Sequence, residues 1–213
     1  MRKYSNAVTF FTDEEKAKIA NTTREVESRS IGEVAVMVVE SSDPYIDAEV
    51  IGGIFLGSLM ALVLTEFFFH TSLWFYIPLS FLFFFPSKYL FHKVPAIKTA
   101  FIGVKRKELS VMQRAIRAFY EKGLYKTKQN TGVLFFLSLL ERKVWVLADT
   151  GINEKIDQAT LNRFANIVSQ GIKDGKACEA LCAAIREAGD LLEKHFPITP
   201  GDIDELPNEV MTE

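Results

Sequence analysis

The chain has 213 residues, which is enough for one domain with its own core plus an appendage but too few for two full domains. Hydrophobic residues make up 48% of the chain and charged residues 24%, a mixture that favours a membrane-anchored globular protein over a multi-span transporter. The formal net charge is −2, and two cysteines are too few for a disulfide framework.

The N-terminal part, residues 1–50, predicts one helix and one buried strand. Thr12 with Glu15 three residues later is the signature of a capping box, and the apolar spacing that follows predicts a helix from about Thr12 to Ser28. The unbroken apolar run from Val34 to Val39 is typical of a central strand that is covered on both faces. This part therefore predicts the first portion of an α/β domain.

Residues 51–91 form a strongly apolar insert. Ile51 to Phe69 and Leu73 to Phe91 are each long enough to cross a hydrocarbon core of roughly 30 Å. Only His70, Thr71 and Ser72 separate them, so the two helices must be antiparallel neighbours. A pair of buried core helices is the alternative, but neither segment has a polar face. We therefore predict a two-helix transmembrane hairpin.

A block of basic residues follows the insert, whereas the turn between its two segments has none. By the positive-inside rule the turn faces outward, and the N- and C-termini lie on the cytoplasmic side of the inner (plasma) membrane. We expect the bilayer to be one partner, through lipid head groups, and we expect no nucleic-acid partner. The predicted membrane-flanking residues are Lys88, Lys93, Lys98, Lys105, Arg106 and Lys107.

Residues 92–196 predict the second portion of the α/β domain. An apolar stripe ending at Phe119 predicts an amphipathic helix that ends near Gly123. Two strands, Val133 to Leu139 and Lys143 to Ala148, are too close in sequence for anything but an antiparallel hairpin.

Two further amphipathic helices complete this portion, and the second carries Cys178 and Cys182 on one face, where we expect them in the core. Residues 197–213 predict an acidic extended tail. The predicted fold class is α/β: a small mixed β-sheet with helices on both faces, an α/β/α sandwich, interrupted by the transmembrane hairpin.

Oxygen-bearing side chains lie next to the predicted strands. If the first and third strands run parallel and the second antiparallel to both, Asp43, Asn130 and Asp149 lie at one edge of the sheet, with Glu141 at the other. With Glu154 they would suit Ca²⁺ or Mg²⁺. The alternative is that they only end strands and cap turns. No motif for serine, nucleotide or zinc chemistry is found.

Several segments together resemble the TPM-domain family. The segment "NTGVLFFLSLLERKVWVLADTGINEKI" is similar to the family signature, in which an Asn-containing loop leads into a "GVL" strand, an acidic-Arg turn and a second strand. "FTDEEKAKI" and "GEVAVMVVESSDPY" resemble its opening, and "KDGKACEALCAAIREAGDLLEKHFP" its closing helices. The resemblance covers about residues 10–40 and 108–196, and the insert is similar to that of a bacterial branch with membrane helices.

The resemblance implies a compact α/β/α sandwich. It also implies a range of roles, because the family includes a thylakoid protein associated with photosystem repair and an auxiliary protein of an acetylcholine receptor. Acid-phosphatase activity and calcium binding are attributed to some members. Two hypotheses follow: a membrane-anchored cytoplasmic module that is a scaffold or interaction partner of a larger membrane protein, or a Ca²⁺- or Mg²⁺-dependent phosphate-ester hydrolase.

Overall fold

The computed structural model describes residues 6–68, 73–127, 129–199 and 207–213. The chain divides into two compact units, one formed by Met1–Ser42 with Glu108–Glu213 and the other by Asp43–Lys107. The helices are α1 (Asp13–Glu27), α2 (Ile46–Phe68), α3 (Leu73–Lys93), α4 (Pro95–Ala100), α5 (Val104–Glu121), α6 (Thr150–Asn153), α7 (Gln158–Lys173) and α8 (Ala177–His195). The strands are β1 (Glu33–Val39), β2 (Gly132–Ser138), β3 (Lys143–Ala148) and β4 (Met211–Thr212).

The first unit is built on a four-stranded mixed sheet in the order β3-β2-β1-β4. β1 pairs parallel with β2 and with β4, and β2 pairs antiparallel with β3. The predicted antiparallel hairpin of β2 and β3 is confirmed. The strand directions assumed for the metal site are wrong, because the first two strands run parallel and the third opposes both.

Both faces of the sheet are covered, as the unbroken apolar run predicted. Every residue of β1 and of β2 is buried. Val34, Val36 and Val38 belong to the core that includes apolar residues of α1, α7 and α8. Ala35, Met37 and Val39 belong to the core formed with the C-terminal part of α5. The mixed α/β class is therefore confirmed.

The predicted start of α1 and the predicted end of α5 also agree with the structure. α1 begins after Thr12, whose side chain accepts a hydrogen bond from the Glu15 N–H while the Glu15 carboxylate accepts one from Thr12 N–H. α5 ends at Glu121, and Gly123 follows with φ of +79°, a left-handed conformation that favours glycine.

The end of the predicted acidic extended tail pairs with the sheet. Residues 200–206 lie outside the described part, but Met211 and Thr212 form β4 beside Met37 and Val38. Glu213 continues this pairing, since its N–H donates to the Val38 carbonyl oxygen at 3.0 Å. A two-residue edge strand has no apolar periodicity, so it leaves no signal in the sequence.

The second unit contains two long helices, α2 and α3, that pack along each other. A Cβ atom on Gly57 would lie 2.9 Å from the backbone nitrogen of Phe84, and one on Gly53 would lie 3.0 Å from the Lys88 Cβ atom. The order of these contacts shows that the helices are antiparallel. The glycines are essential for this close approach, because backbone atoms cannot move aside as a flexible side chain can.

Only α2 is long and apolar enough to cross a membrane among the described residues. α3 carries Pro78, Pro86 and Lys88, which lower its mean hydropathy. The prediction of two transmembrane helices is therefore not confirmed. The predicted turn, including His70, lies outside the described residues.

Candidate functional site

Two of the predicted metal ligands, Asn130 and Asp149, lie at one end of the sheet. Val133 is opposite Ala148 in the β2–β3 ladder, so the loop before β2 and the turn after β3 are neighbours. A Cβ atom on Gly151 would lie 2.8 Å from the Asn130 carbonyl oxygen, which shows how closely they pack. Asn130 has a φ of +54°, which asparagine tolerates better than most residues.

Asp149 caps the short helix α6. Its Oδ1 atom accepts a hydrogen bond from Thr150 N–H at 2.7 Å, while its Oδ2 atom is buried with no hydrogen-bond partner among the described residues. Glu154 is the C-terminal cap of the same helix. The capping role is thus observed, as the alternative interpretation of these residues predicted.

Asp43 does not join this end of the sheet. β1 runs parallel to β2, so it ends at Val39 beside Ser138, and the chain leaves the sheet from the opposite end. Asp43 Oδ2 accepts a hydrogen bond from the Arg106 guanidinium at 3.0 Å, and its Oδ1 accepts one from Tyr45 N–H at 2.8 Å. The strand directions on which the three-residue arrangement was based are therefore not those of the structure, and metal binding by these residues stays a prediction.

No group of three or more His, Cys, Asp or Glu side chains with the spacing of a metal site occurs in the part of the chain that the structure describes. Metal-dependent phosphate-ester hydrolysis stays a prediction. A buried polar network is found instead where β1 and β2 end.

Glu141 is the centre of that network and is only 6% exposed. Its Oε1 atom accepts hydrogen bonds from Ser42 N–H at 2.9 Å and Ser41 Oγ at 3.4 Å, and its Oε2 atom accepts one from Ser138 Oγ. Ser42 Oγ in turn donates to Ser138 Oγ at 2.8 Å. The carboxylate thus connects the end of β1 to the β2–β3 turn, a role that the sequence pattern around Glu141 does not indicate.

A cavity of about 410 Å³ opens beside this turn, between the β2–β3 hairpin and the C-terminal half of α7. Apolar side chains and three cationic ones surround it, with two serines between them. We call it the hairpin cavity. Its lining residues are Leu137, Ser138, Leu139, Arg142, Lys143, Ser169, Ile172 and Lys173.

The cations of the hairpin cavity have few counter-charges. Lys143 Nζ lies 4.0 Å from a Glu108 carboxylate oxygen, at the limit of an ion pair. Arg142 and Lys173 have no ion pair among the described residues. Arg142 also has a φ of +53°, in the left-handed region that non-glycine residues rarely adopt. The sequence indicated the Glu-Arg turn, but it did not indicate that Lys173 of α7 lines the same cavity as Arg142.

The predicted membrane-flanking cations divide into two groups. Lys98 is 11% exposed and donates a hydrogen bond to Glu49 at 2.8 Å, and Arg106 pairs with Asp43. These two therefore neutralise acids of the second unit itself. The other four make no ion pair in the described part of the chain: Lys88, Lys93, Lys105 and Lys107.

Cys178 and Cys182 are both free and buried in the core, as predicted. Burial raises the pKa of the Cys178 thiol to about 12, and the neighbouring Cys182 adds to that rise. The thiol is therefore protonated and unreactive in the folded protein, since the thiolate is the nucleophile.

We predict that Glu141→Ala lowers the free energy of unfolding by about 1–3 kcal/mol, because buried hydrogen-bond donors of Ser42 and Ser138 lose their acceptor. Urea unfolding followed by Trp145 fluorescence, in a Trp74→Phe background, measures the change. Glu108→Ala is the matched control, because that carboxylate is 54% exposed and its pair with Lys143 is long. Equal losses in the two variants would contradict a special role for Glu141.

We predict that Cys178 resists alkylation at pH 9 in the folded protein and reacts readily in urea. In a Cys182→Ala background, iodoacetamide labelling measured by intact mass reports this thiol alone. Its pKa is raised above the ordinary 9.0, so its contribution to stability is complete below pH 9 and is lost as the pH rises towards 12. Rapid labelling without denaturant would refute the prediction.

Comparison with known proteins connects this structure to one family. Residues 97–191 match the model of the TPM domain. The structure is similar to the NMR structure of the BA42 protein from the psychrophilic bacterium Bizionia argentinensis, with a TM-score of 0.60 and 21% identity over 96% of each chain. No curated protein matches the sequence. The segment that contains the signature strands and most of the closing helices, residues 97–191, is therefore similar to the TPM domain.

Proposed function

We propose that the protein is a membrane-anchored TPM-domain module that binds a larger membrane protein. One observation supports this most directly: α2 and α3 expose large apolar side chains over most of their length. Five examples are each more than half exposed: Ile54, Phe67, Trp74, Phe81 and Phe85. Exposed apolar surface of this extent is costly in water and suits hydrocarbon.

The small residues of α2 face inward, against α3. Gly53, Gly57, Ala61 and Thr65 recur every fourth position, and the last two are fully or almost fully buried. In lipid, helices associate through such small residues because there is no hydrophobic driving force between them. Ser58 Oγ and the Tyr76 hydroxyl also lie 2.5 Å apart, so both hydroxyls have a partner within the pair.

The charged groups of the second unit support an orientation. Glu49 interacts with Lys98 and His92, and Asp43 with Arg106, so these two acids pair with the end of α3 and the segment that follows it. We propose that both α2 and α3 span the inner membrane, that the remaining cations contact lipid head groups, and that the N- and C-termini lie in the cytoplasm.

An interaction role follows from the same anchoring. Because the second unit is an insert, both of its ends continue into the first unit. A membrane hairpin in the second unit would therefore hold the TPM domain near the bilayer. The outer faces of α2 and α3 are not used for their mutual packing and are free to contact helices of a partner. This is the arrangement of an accessory subunit that docks onto a larger membrane protein.

For the anchor, we predict that the protein stays in the membrane fraction after extraction at pH 11 and floats with lipid in a density gradient. In a Cys178→Ala, Cys182→Ala background, Ser72→Cys is expected to react with an impermeant maleimide in intact cells. The matched variant Glu209→Cys should react only after permeabilisation. Release into the soluble fraction, or labelling of both cysteines from one side, would refute the anchoring or the topology.

For the partner, we predict that a photoreactive benzoylphenylalanine at Phe85 gives one discrete protein adduct on irradiation in cells. The same group at Asn166, on an exposed position of α7, is the control for random collision. Mass spectrometry identifies the adduct. If the probe gives only lipid adducts at Phe81, Phe85 and Ile54, the α2–α3 pair is an anchor only and the docking role is wrong.

A further inference from the structure

We propose that the hairpin cavity binds a small anionic amphiphile, with the apolar chain inside and the anionic head group at the cations. The cavity measures about 410 Å³, within the range of roughly 300–1,000 Å³ that is typical of small-molecule sites. All of its lining residues belong to the first unit, so this inference does not depend on membrane anchoring.

The interior of the cavity is suited to a hydrocarbon chain. Leu137 and Leu139 are 1% and 5% exposed, and Ile172 of α7 is partly buried against the same core. Ser169, one turn before Ile172 on α7, is a small residue at a position where a larger side chain would fill the space. A ligand with an apolar chain would pack against this apolar lining.

The charges of the cavity select the sign of the head group. Arg142 and Lys143 come from the β2–β3 turn and Lys173 from the end of α7, so three cations from two separate elements line one opening. Like charges held together repel, and a bound anion would offset that repulsion. A guanidinium beside two ammonium groups suits a carboxylate or a phosphate, both of which accept two parallel hydrogen bonds from arginine.

The backbone at Arg142 gives independent support. Its left-handed φ of +53° is disfavoured for an arginine, and Arg142 N–H donates to the Leu139 carbonyl oxygen at 3.3 Å to close the turn. Glu141, the preceding residue, is anchored to Ser42 and Ser138. The turn is thus held rigidly with its cationic side chain beside the cavity, at a conformational cost typical of functional positions.

Neither half of this chemistry is sufficient alone. A small anion without a chain would leave the apolar lining of the cavity uncovered, and a neutral hydrocarbon would leave Arg142 and Lys173 without an anionic partner. The site therefore predicts selectivity for molecules that combine both. Fatty acids and single-chain phospholipids share this chemistry, and they differ in carrying a carboxylate or a phosphate.

The test is a titration of the full chain in lipid nanodiscs with soluble ten-carbon probes, followed by the NMR signal of the ¹³C-labelled Ile172 methyl group. Decanoate and decyl phosphate are expected to shift the signal saturably. Decanol, acetate and inorganic phosphate should bind at least about tenfold more weakly. A tighter carboxylate indicates a fatty acid, and a tighter phosphate indicates a phospholipid-derived ligand.

Three variants make the test specific. Arg142→Gln with Lys173→Gln should weaken decanoate binding about tenfold or more, whereas Lys176→Gln, an exposed cation outside the cavity, should leave it unchanged. Ser169→Leu should abolish binding by occupying the cavity. Unchanged methyl signals of Ile19 and Ile185 confirm the fold, and if Ser169→Leu does not fold, the charge variant decides.

Two results would overturn the proposal. One is decanol binding as tightly as decanoate, which would remove the role of the cations. The other is unaltered affinity in the Arg142→Gln, Lys173→Gln variant. Because the readout is in the first unit, either result leaves the anchoring experiment unaffected, and loss of anchoring likewise leaves this binding intact.

Discussion

The parallel pairing of β1 with β2 is the contact on which the rest of the structure depends. Seven residues of β1, Glu33–Val39, align with seven of β2, Gly132–Ser138, and these strands form the buried centre of the sheet. Their apolar side chains point to both faces and are covered by helices from both ends of the sequence. Neither portion of the chain can complete this core alone, so the domain folds only when residues far apart in sequence have paired.

Parallel pairing also explains where an insert can be placed. A connection between adjacent parallel strands must cross over the sheet and needs a dozen or more residues, so it is already long. Here the connection contains the whole unit Asp43–Lys107 followed by α5. The Asp43–Arg106 ion pair joins the first residue of that unit to the first turn of α5, next to the last residue of the unit. An inserted unit whose two ends are close imposes little strain on its host.

Much of the fold could be predicted because the informative patterns were local. A capping box marked the start of α1, an unbroken apolar run marked β1, and the short spacing of β2 and β3 required a hairpin. Strand direction could not be read in the same way. A strand buried on both faces has no alternation, so its residues carry no information on which neighbour it pairs with or in which direction.

The candidate site shows the same limit. Asn130 and Asp149 were correctly predicted to be neighbours, because both flank the same hairpin, whereas the position of Asp43 depended on strand direction. The hairpin cavity was missed because its cations come from a turn and from the end of a distant helix. Arg142 is recognisable in the sequence as part of a turn, but only tertiary structure brings Lys173 beside it.

α3 has a lower mean hydropathy than α2, which bears on the proposal that both helices span the membrane. α3 does not reach the mean hydropathy of a membrane-spanning helix as α2 does, because it contains prolines, serines and Lys88. Ser80 Oγ donates to the Ile77 carbonyl oxygen, and the Tyr76 hydroxyl meets Ser58 of α2, whereas Ser87 Oγ is buried without a hydrogen-bond partner among the described residues. Lys88 packs over Gly53, near the end of the pair where charged groups collect. In the proposed anchor α3 would enter lipid as the partner of α2, and the Ser58–Tyr76 contact would provide a hydrogen bond that lipid cannot.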